Sequence, residues 1–350
     1  MWSPLPSLAL GVVIGASGGC AGHPSTTTSD SGNSGAPTSS SGAAQDTGSG
    51  AAGTSGSPDS GSGSTSESGI QQGPPATIGD AQAELDTSGI VGSMDASAAS
   101  TDAAGSNKIL IYGVTTPGTY RHAAIGTAAT ALAQAAMAVG LTSEIYGTTD
   151  ATNVADRTKF TAAALAKDGA VILISNDGEP FGYPATQEIQ NLIDYVQNGG
   201  ALLILHCTPD CYGGAASGPI LGHPASLPFH MLIGSTWLGH PGNVAPATCT
   251  TMGTHPSVAG LAPTFNLTDE IYTYSYLGRD IQVVMTCTSS TDPNTVRVSS
   301  FYREQGQGRI FTASLGHPDI SWTMPMDPKL PNSRLVQDHV IPALLWAMRR

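Results

Sequence analysis

The chain has 350 residues and a formal net charge of −13, long enough for two domains, but its composition shortens the part able to fold. No Lys or Arg precedes Lys108, while nine of the 26 acids fall between Asp30 and Asp102, so the N-terminal third supplies nine of the 13 net negative charges. The rest, with 13 bases against 17 acids, lacks the basic stripe of a nucleic-acid surface, and its charge says little about a substrate.

Residues 1–20, "MWSPLPSLALGVVIGASGGC", set a short apolar core before small residues and Cys20. The core "LALGVVIGA" is too short to span a bilayer and suits an export signal. The segment resembles the lipobox of a bacterial lipoprotein with Cys20 as the lipidated residue, although no base stands near the N-terminus and Ser17 sits where Leu is commoner. A cleaved secretory signal is the alternative. Residues 21–106 are Ser, Gly, Ala and Thr with scattered acids. They hold too little apolar side chain to offset ordering entropy and are expected to form a disordered tether. The picture is an exported protein, periplasmic or at the bacterial cell surface, touching the membrane only through a lipid anchor.

In such a compartment Cys207, Cys211, Cys249 and Cys287 are expected to pair. Three pairings are possible. The favoured one joins Cys207 to Cys211 locally and Cys249 to Cys287 across two strand-like segments, "PATCTTM" and "IQVVMTCTS".

From residue 107 the pattern alternates strand and helix. "KILIYGV" (108–114) is a buried-strand run, and "AAIGTAATALAQAAMAVG" (123–140) is Ala-rich and closes on Gly140, a helix stop. "TSEIYG" is a second strand, "FTAAALAKDG" a helix, and "AVILIS" (170–175) a third strand. "TQEIQNLIDYVQNGG" (186–200) puts Ile189, Leu192, Ile193 and Val196 on one face before Gly199, and "ALLIL" delivers His206. The alternation predicts one α/β domain over 107–350, a mostly parallel sheet with helices on both faces. Beyond Thr208 come Gly-, Pro- and His-rich loops and the shorter strands "EIYTYSYL", "IQVVMT", "RVSSFYR" and "RIFTASL". A closing helix is expected in "RLVQDHVIPALLWAMRR".

Ligands of such sheets sit at the carboxyl ends of the strands. His122, Asp177, His206 and His317 each follow a strand there, which predicts that they converge. "YRH", "LHCTPD", "FHMLIGSTWLGHPG", "THPSVAGLAPTFNLTDEIY" and "GQGRIFTASLGH" follow in fixed order. Together they resemble the trehalose-utilisation (ThuA-like) domain, a branch of the class I glutamine-amidotransferase-like fold, from about Lys108 to the C-terminus. The resemblance implies a flavodoxin-like α/β sheet and a role tied to disaccharides or their oxidised derivatives. Leu205 and Cys207 depart from the family, where a small residue and Ala are usual.

Three chemistries compete for these residues. A cysteine hydrolase would set a Cys on a sharp turn, with His317 and Asp319 of "LGHPD" in the His and acid positions. Such an elbow wants small residues two before and two after the nucleophile. Cys207 has Leu205 and Pro209, His206 has Ile204 and Thr208, so no strained elbow is expected. A metal site has candidates in His206, His240 and His255, and zinc is possible, but zinc spacing is absent and no cofactor is predicted. His/carboxylate acid–base chemistry on a small carbohydrate fits best. Its catalytic set is His122, His206, Asp210 and His317. Asp177, His240, Asp269, Glu270, Tyr272 and Trp237 are the substrate-binding set, with Trp322 a second stacking face. Glu270 could instead pair Arg121 or Arg309, and His339 is expected to be structural. A non-catalytic carbohydrate-binding module in the same fold is the alternative from another class.

Overall fold

A computed structural model describes residues 105–214, 218–219, 223–242, 244–323 and 334–350. The expectations for Cys20 and residues 1–104 lie outside these. In chain order the elements are β1 (Lys108–Tyr112), α1 (Ile125–Ala138), β2 (Thr142–Tyr146), α2 (Ala162–Leu165), β3 (Ala170–Ile174), α3 (Thr186–Gln197) and β4 (Ala201–Leu205). The short pair β5 (Gly213–Gly214) and β6 (Gly218–Pro219) follows, then α4 (Ser226–Ile233), β7 (Ser235–Gly239), β8 (Ala245–Thr251) and β9 (Thr264–Asp269). Last come β10 (Thr273–Leu277), β11 (Gln282–Ser289), β12 (Arg297–Gln305), β13 (Gly308–Ala313), α5 (Asp319–Thr323), a π-type turn over Leu335–Val340 and α6 (Ile341–Ala347).

Nine strands form one mixed sheet in the order β2-β1-β3-β4-β13-β12-β11-β8-β9, and β7 pairs with β10 in a separate ribbon. The first five strands are parallel, and β12, β11, β8 and β9 continue the sheet antiparallel. The mostly parallel sheet expected from the alternation is therefore realised in one half only. The physical reason lies in the connections: β12 reaches β13 through Gly306–Gln307, and so short a turn can only join antiparallel neighbours.

The strands β3 and β4 are buried at every residue, because helices cover both faces. On one face Ile109, Ile111, Ile172, Leu203 and Phe311 pack against α1 and the C-terminal helices. On the other, Leu110, Tyr112, Leu173, Leu202 and Ile204 pack against Leu165 of α2, Ile189 and Leu192 of α3 and Phe229 of α4. Of the face predicted for α3, Ile189, Leu192 and Val196 are buried and Ile193 is half-buried.

Cys249 and Cys287 stand opposite each other in β8 and β11 and form a disulfide, as favoured from the sequence. The Cys207–Cys211 bridge is not formed, and both are buried free thiols. A tight turn over Thr208–Asp210 separates them. It sends Cys207 against Trp237 and Tyr272, and Cys211 into the cluster of Tyr212 and Phe229.

Candidate active site

The strand order places the carboxyl ends of β1, β3, β4 and β13 side by side, and the loops leaving them carry His122, Asp177, His206 and His317. His206 is the residue that leaves β4. Its N–H still donates to Ala313 O at 2.8 Å, but its φ is +53°, in the left-handed region. The expectation that no strained turn forms here is thus corrected. The flanking bulk is accommodated because Ile204 stays flat in the sheet core and the Thr208 hydroxyl folds back onto Leu205 O at 3.0 Å.

His206 is fully buried, with Nδ1 2.8 Å from Ser314 O and Nε2 3.0 Å from the Tyr272 hydroxyl. His317 follows Gly316, whose φ of +117° and close packing against the Trp322 indole leave no room for a side chain. Nδ1 of His317 lies 3.0 Å from a Glu270 carboxylate oxygen. Nε2 of His240 approaches the other oxygen at 3.2 Å, and Nε2 of His206 is 3.8 Å from the oxygen that faces His317. Glu270 is 4% exposed, so one buried carboxylate faces three imidazoles. The bland alternative for Glu270 does not hold: Arg121 pairs with Asp150 and Arg309 with Glu304.

The charges follow from this geometry. Burial pushes His122 down to about 3, with His317 and His240 adding to the effect. Burial likewise drives His206 well below the ordinary histidine value, helped by His122. Burial also works against charge on His317, but the hydrogen bond and charge of Glu270 outweigh it and hold its pKa above the ordinary value. Glu270 is correspondingly depressed: burial opposes its charge, and the His317 hydrogen bond with the nearby imidazoles overcomes that. The array therefore favours a Glu270 carboxylate beside a protonated His317, with His122 and His206 neutral.

Several predicted residues take other places. Asp269, expected to bind substrate, accepts hydrogen bonds from the backbones of Glu270, Gly316 and His317 and from the Ser321 hydroxyl. It clamps the His317 turn. Trp322, expected to stack on a sugar, is buried, and its indole N–H donates to Gly316 O at 2.8 Å. Trp237 is buried against Tyr272 and Cys207, a wall rather than an open face. Asp177 receives the backbone N–H groups of Tyr120 and Gly178 and so fixes the loop that carries Tyr120 and His122. Asp210 lies near it, pushed up to about 8 by burial and by the Asp177 charge. His255 is remote from the other histidines of the site, stacked on Tyr302 and beside Trp346. His339, expected to be structural, is buried between Ser300 and Ser257 O.

One aromatic was missed. Tyr120 is 51% exposed, edge-on to His122 at 4.7 Å and stacked toward His317 at 6.3 Å. It is the first letter of "YRH". His122 also lines a cleft of about 420 Å³ with Arg121, Thr148, Thr149 and Asp150. As for a cofactor, one nitrogen each of His122, His206 and His317 lie within 4.8 Å of one another, a set that could hold a metal ion. Cys207 is poorly placed as a nucleophile. Its Sγ donates to Asn176 O, and burial, then the charges of Asp177 and other neighbours, raises its pKa well above the usual thiol value.

Comparison with known proteins agrees with the motifs. Solved structures similar to the chain include ThuA-like proteins of Bacteroides uniformis, at 15% identity and a TM-score of 0.45, and of Parabacteroides merdae, at 16% and 0.44, each match covering 69% of this chain and 89% of the other. A cytoplasmic protein of Salmonella typhimurium is similar at 15% identity and a TM-score of 0.44, over 69% of this chain and 98% of the other. No curated protein matches the chain significantly. The family described as trehalose utilisation matches residues 108–347. The chain belongs to the trehalose-utilisation (ThuA) family.

Proposed function

We propose that the chain is a sugar-processing enzyme acting on disaccharides or their keto derivatives by His/carboxylate acid–base chemistry. Family membership supports the sugar. The observation that carries the chemistry is the Glu270 carboxylate, 3.0 Å from His317 Nδ1 and 3.2 Å from His240 Nε2 in a buried setting. Proton transfer to or from a sugar hydroxyl needs a group that gains and loses a proton reversibly, next to a partner that stabilises either state. His317 and Glu270 meet that requirement, and Tyr120 offers an exposed aromatic face for the ring beside them. The parallel half of the sheet, with its site at the strand ends, is what a flavodoxin-like domain would supply. An exported, lipid-anchored protein would meet its sugar outside the cytoplasm, and the Cys249–Cys287 disulfide supports an oxidising compartment.

The test is incubation of the purified chain with a panel of disaccharides and their keto derivatives, followed by NMR. Glu270→Gln keeps the shape and removes the charge, so turnover should fall at least about 100-fold. Binding of a sugar without turnover by the wild-type chain, unchanged in Glu270→Gln, would replace the enzyme with a carbohydrate-binding module.

A further inference from the structure

Acid–base chemistry on a sugar does not require three imidazoles in contact, yet His122, His206 and His317 are packed together. Their ring centroids lie 4.4 Å (His122–His206), 4.8 Å (His122–His317) and 5.2 Å (His206–His317) apart, each pair nearly edge to face. Two rings have one nitrogen already held from outside: His206 Nδ1 by Ser314 O at 2.8 Å and His317 Nδ1 by Glu270 at 3.0 Å. Each outer bond takes the Nδ1–H; Nε2 of the neutral His206 is then a lone pair, and Nε2 of His317 would become one on giving up its proton to a metal. The Tyr272 hydroxyl, 3.0 Å from His206 Nε2, donates to that lone pair. A backbone carbonyl behind one imidazole and a carboxylate behind another is how proteins orient histidines around a metal. The third ring supplies an independent sign. His122 is 5% exposed, and its Nδ1 is buried with no hydrogen-bond partner, a costly state for a polar atom removed from water.

We propose that His122, His206 and His317 bind one zinc ion, with Glu270 orienting His317 from behind. Three imidazole nitrogens suit zinc and not the oxygen-seeking calcium or magnesium. Tetrahedral zinc, with Zn–N of about 2.0–2.1 Å, spaces its nitrogens roughly 3.3 Å apart. From a set within 4.8 Å, each ring has to shift by less than roughly 1 Å to close on the ion. Three protein ligands leave a fourth position for water or a substrate oxygen. With zinc bound, His317 would be a ligand, and the proton handling it shares with Glu270 would fall to Glu270 alone.

The full chain, stripped with a chelator, would be titrated with zinc chloride by calorimetry and with cobalt(II) as a visible probe. One equivalent should bind, and cobalt should show the absorption of a four-coordinate nitrogen site. Alanine at His122, His206 or His317 should weaken zinc by more than about 100-fold, and Glu270→Gln by about 10–100-fold. His223→Ala, which removes a histidine outside the trio, should change nothing. Circular dichroism checks each fold, and His122→Gln replaces His122→Ala if the latter unfolds. A wild-type chain that binds no stoichiometric zinc, or zinc binding that survives loss of the His122 imidazole, overturns the site. Turnover of a sugar by a chain that binds no zinc would sink the zinc and leave the sugar chemistry standing. One equivalent of zinc on a chain inert to every sugar would do the reverse.

Discussion

The substitution Asp269→Asn puts an amide nitrogen into a pocket built for an acceptor. One carboxylate oxygen takes the N–H groups of Glu270 at 2.8 Å and His317 at 3.0 Å, the other the N–H of Gly316 at 2.9 Å and the Ser321 hydroxyl at 2.8 Å. The asparagine side chain keeps at best the first pair, and its own N–H₂ meets the Gly316 donor head on. Hydrogen bonds to a charged group are worth about 1.5–3 kcal/mol each, and a stranded buried donor costs about 1–3 kcal/mol. Part of that loss is offset, because full burial pushes the Asp269 carboxyl up against the donors that favour its charged form. A net loss of about 3 kcal/mol is expected, which for a domain of this size lowers Tm by roughly 6–12 °C. Thermal unfolding followed by circular dichroism reads it directly. Because the released turn carries His317, turnover should fall with it. A variant with unchanged Tm and weakened sugar binding would refute this account and make Asp269 a substrate ligand.

The Cys249–Cys287 disulfide closes a loop with a sequence separation of 38, so Cys249→Ser with Cys287→Ser should lose about 4 kcal/mol in urea unfolding. Cys207→Ala should keep turnover within a few-fold, and Cys207 should resist thiol reagents in the native chain; fast labelling near neutral pH would restore it as a nucleophile. His339 is buried with its pKa lowered to about 4, mainly by burial, so its folded form prefers to be neutral. Its contribution is complete above the unfolded pKa of about 6.5 and is lost as pH falls toward 4, worth about 3 kcal/mol across that window. His339→Asn should shrink the pH-induced loss of stability by that amount, and identical pH profiles for variant and wild type would contradict it. Tyr120→Ala should raise KM with little change in Tm, since the side chain is half exposed; a fall in kcat alone would mean that it does not hold the sugar.

The parallel half of the fold was legible because "KILIY", "AVILI" and "ALLIL" are continuous apolar runs, which only strands covered on both faces tolerate. The other half was harder. β9 is the short alternating run "TFNLTD", and α4 contains Pro228, so neither stands out from its loops. The site divides in the same way. His122, His206 and His317 each follow a parallel strand, so topology alone places them together. Glu270 enters from the far antiparallel end of the sheet: it is the residue after β9, an edge strand five places removed from β4 in the sheet order. What carries it back is the clamp of Asp269 on the Gly316–His317 backbone, a contact between segments 47 residues apart that no local pattern encodes.

Spacing misled where it was most local. Cys207 and Cys211 are close enough in sequence to pair, but the turn between them gives each thiol a different cluster, so proximity in sequence decided nothing. Contacts with the end of β13 help His206 sit at φ +53° without small neighbours. A left-handed residue costs about 1–2 kcal/mol, and two hydrogen bonds of about 1 kcal/mol each can offset that cost. His206 has both to the β13 end, from its N–H to Ala313 O and at Nδ1 to Ser314 O. Both oxygens belong to the segment that goes on to His317. The strained conformation of one histidine is thus tied, through four residues of backbone, to the position of another, and Glu270 completes the tie by holding His317 Nδ1. His206 and His317 are held on their outer sides, His122 Nδ1 is buried without a hydrogen-bond partner, and one nitrogen of each ring lies within 4.8 Å of the others, so three strand ends meet at one centre rather than forming caps that happen to be near one another.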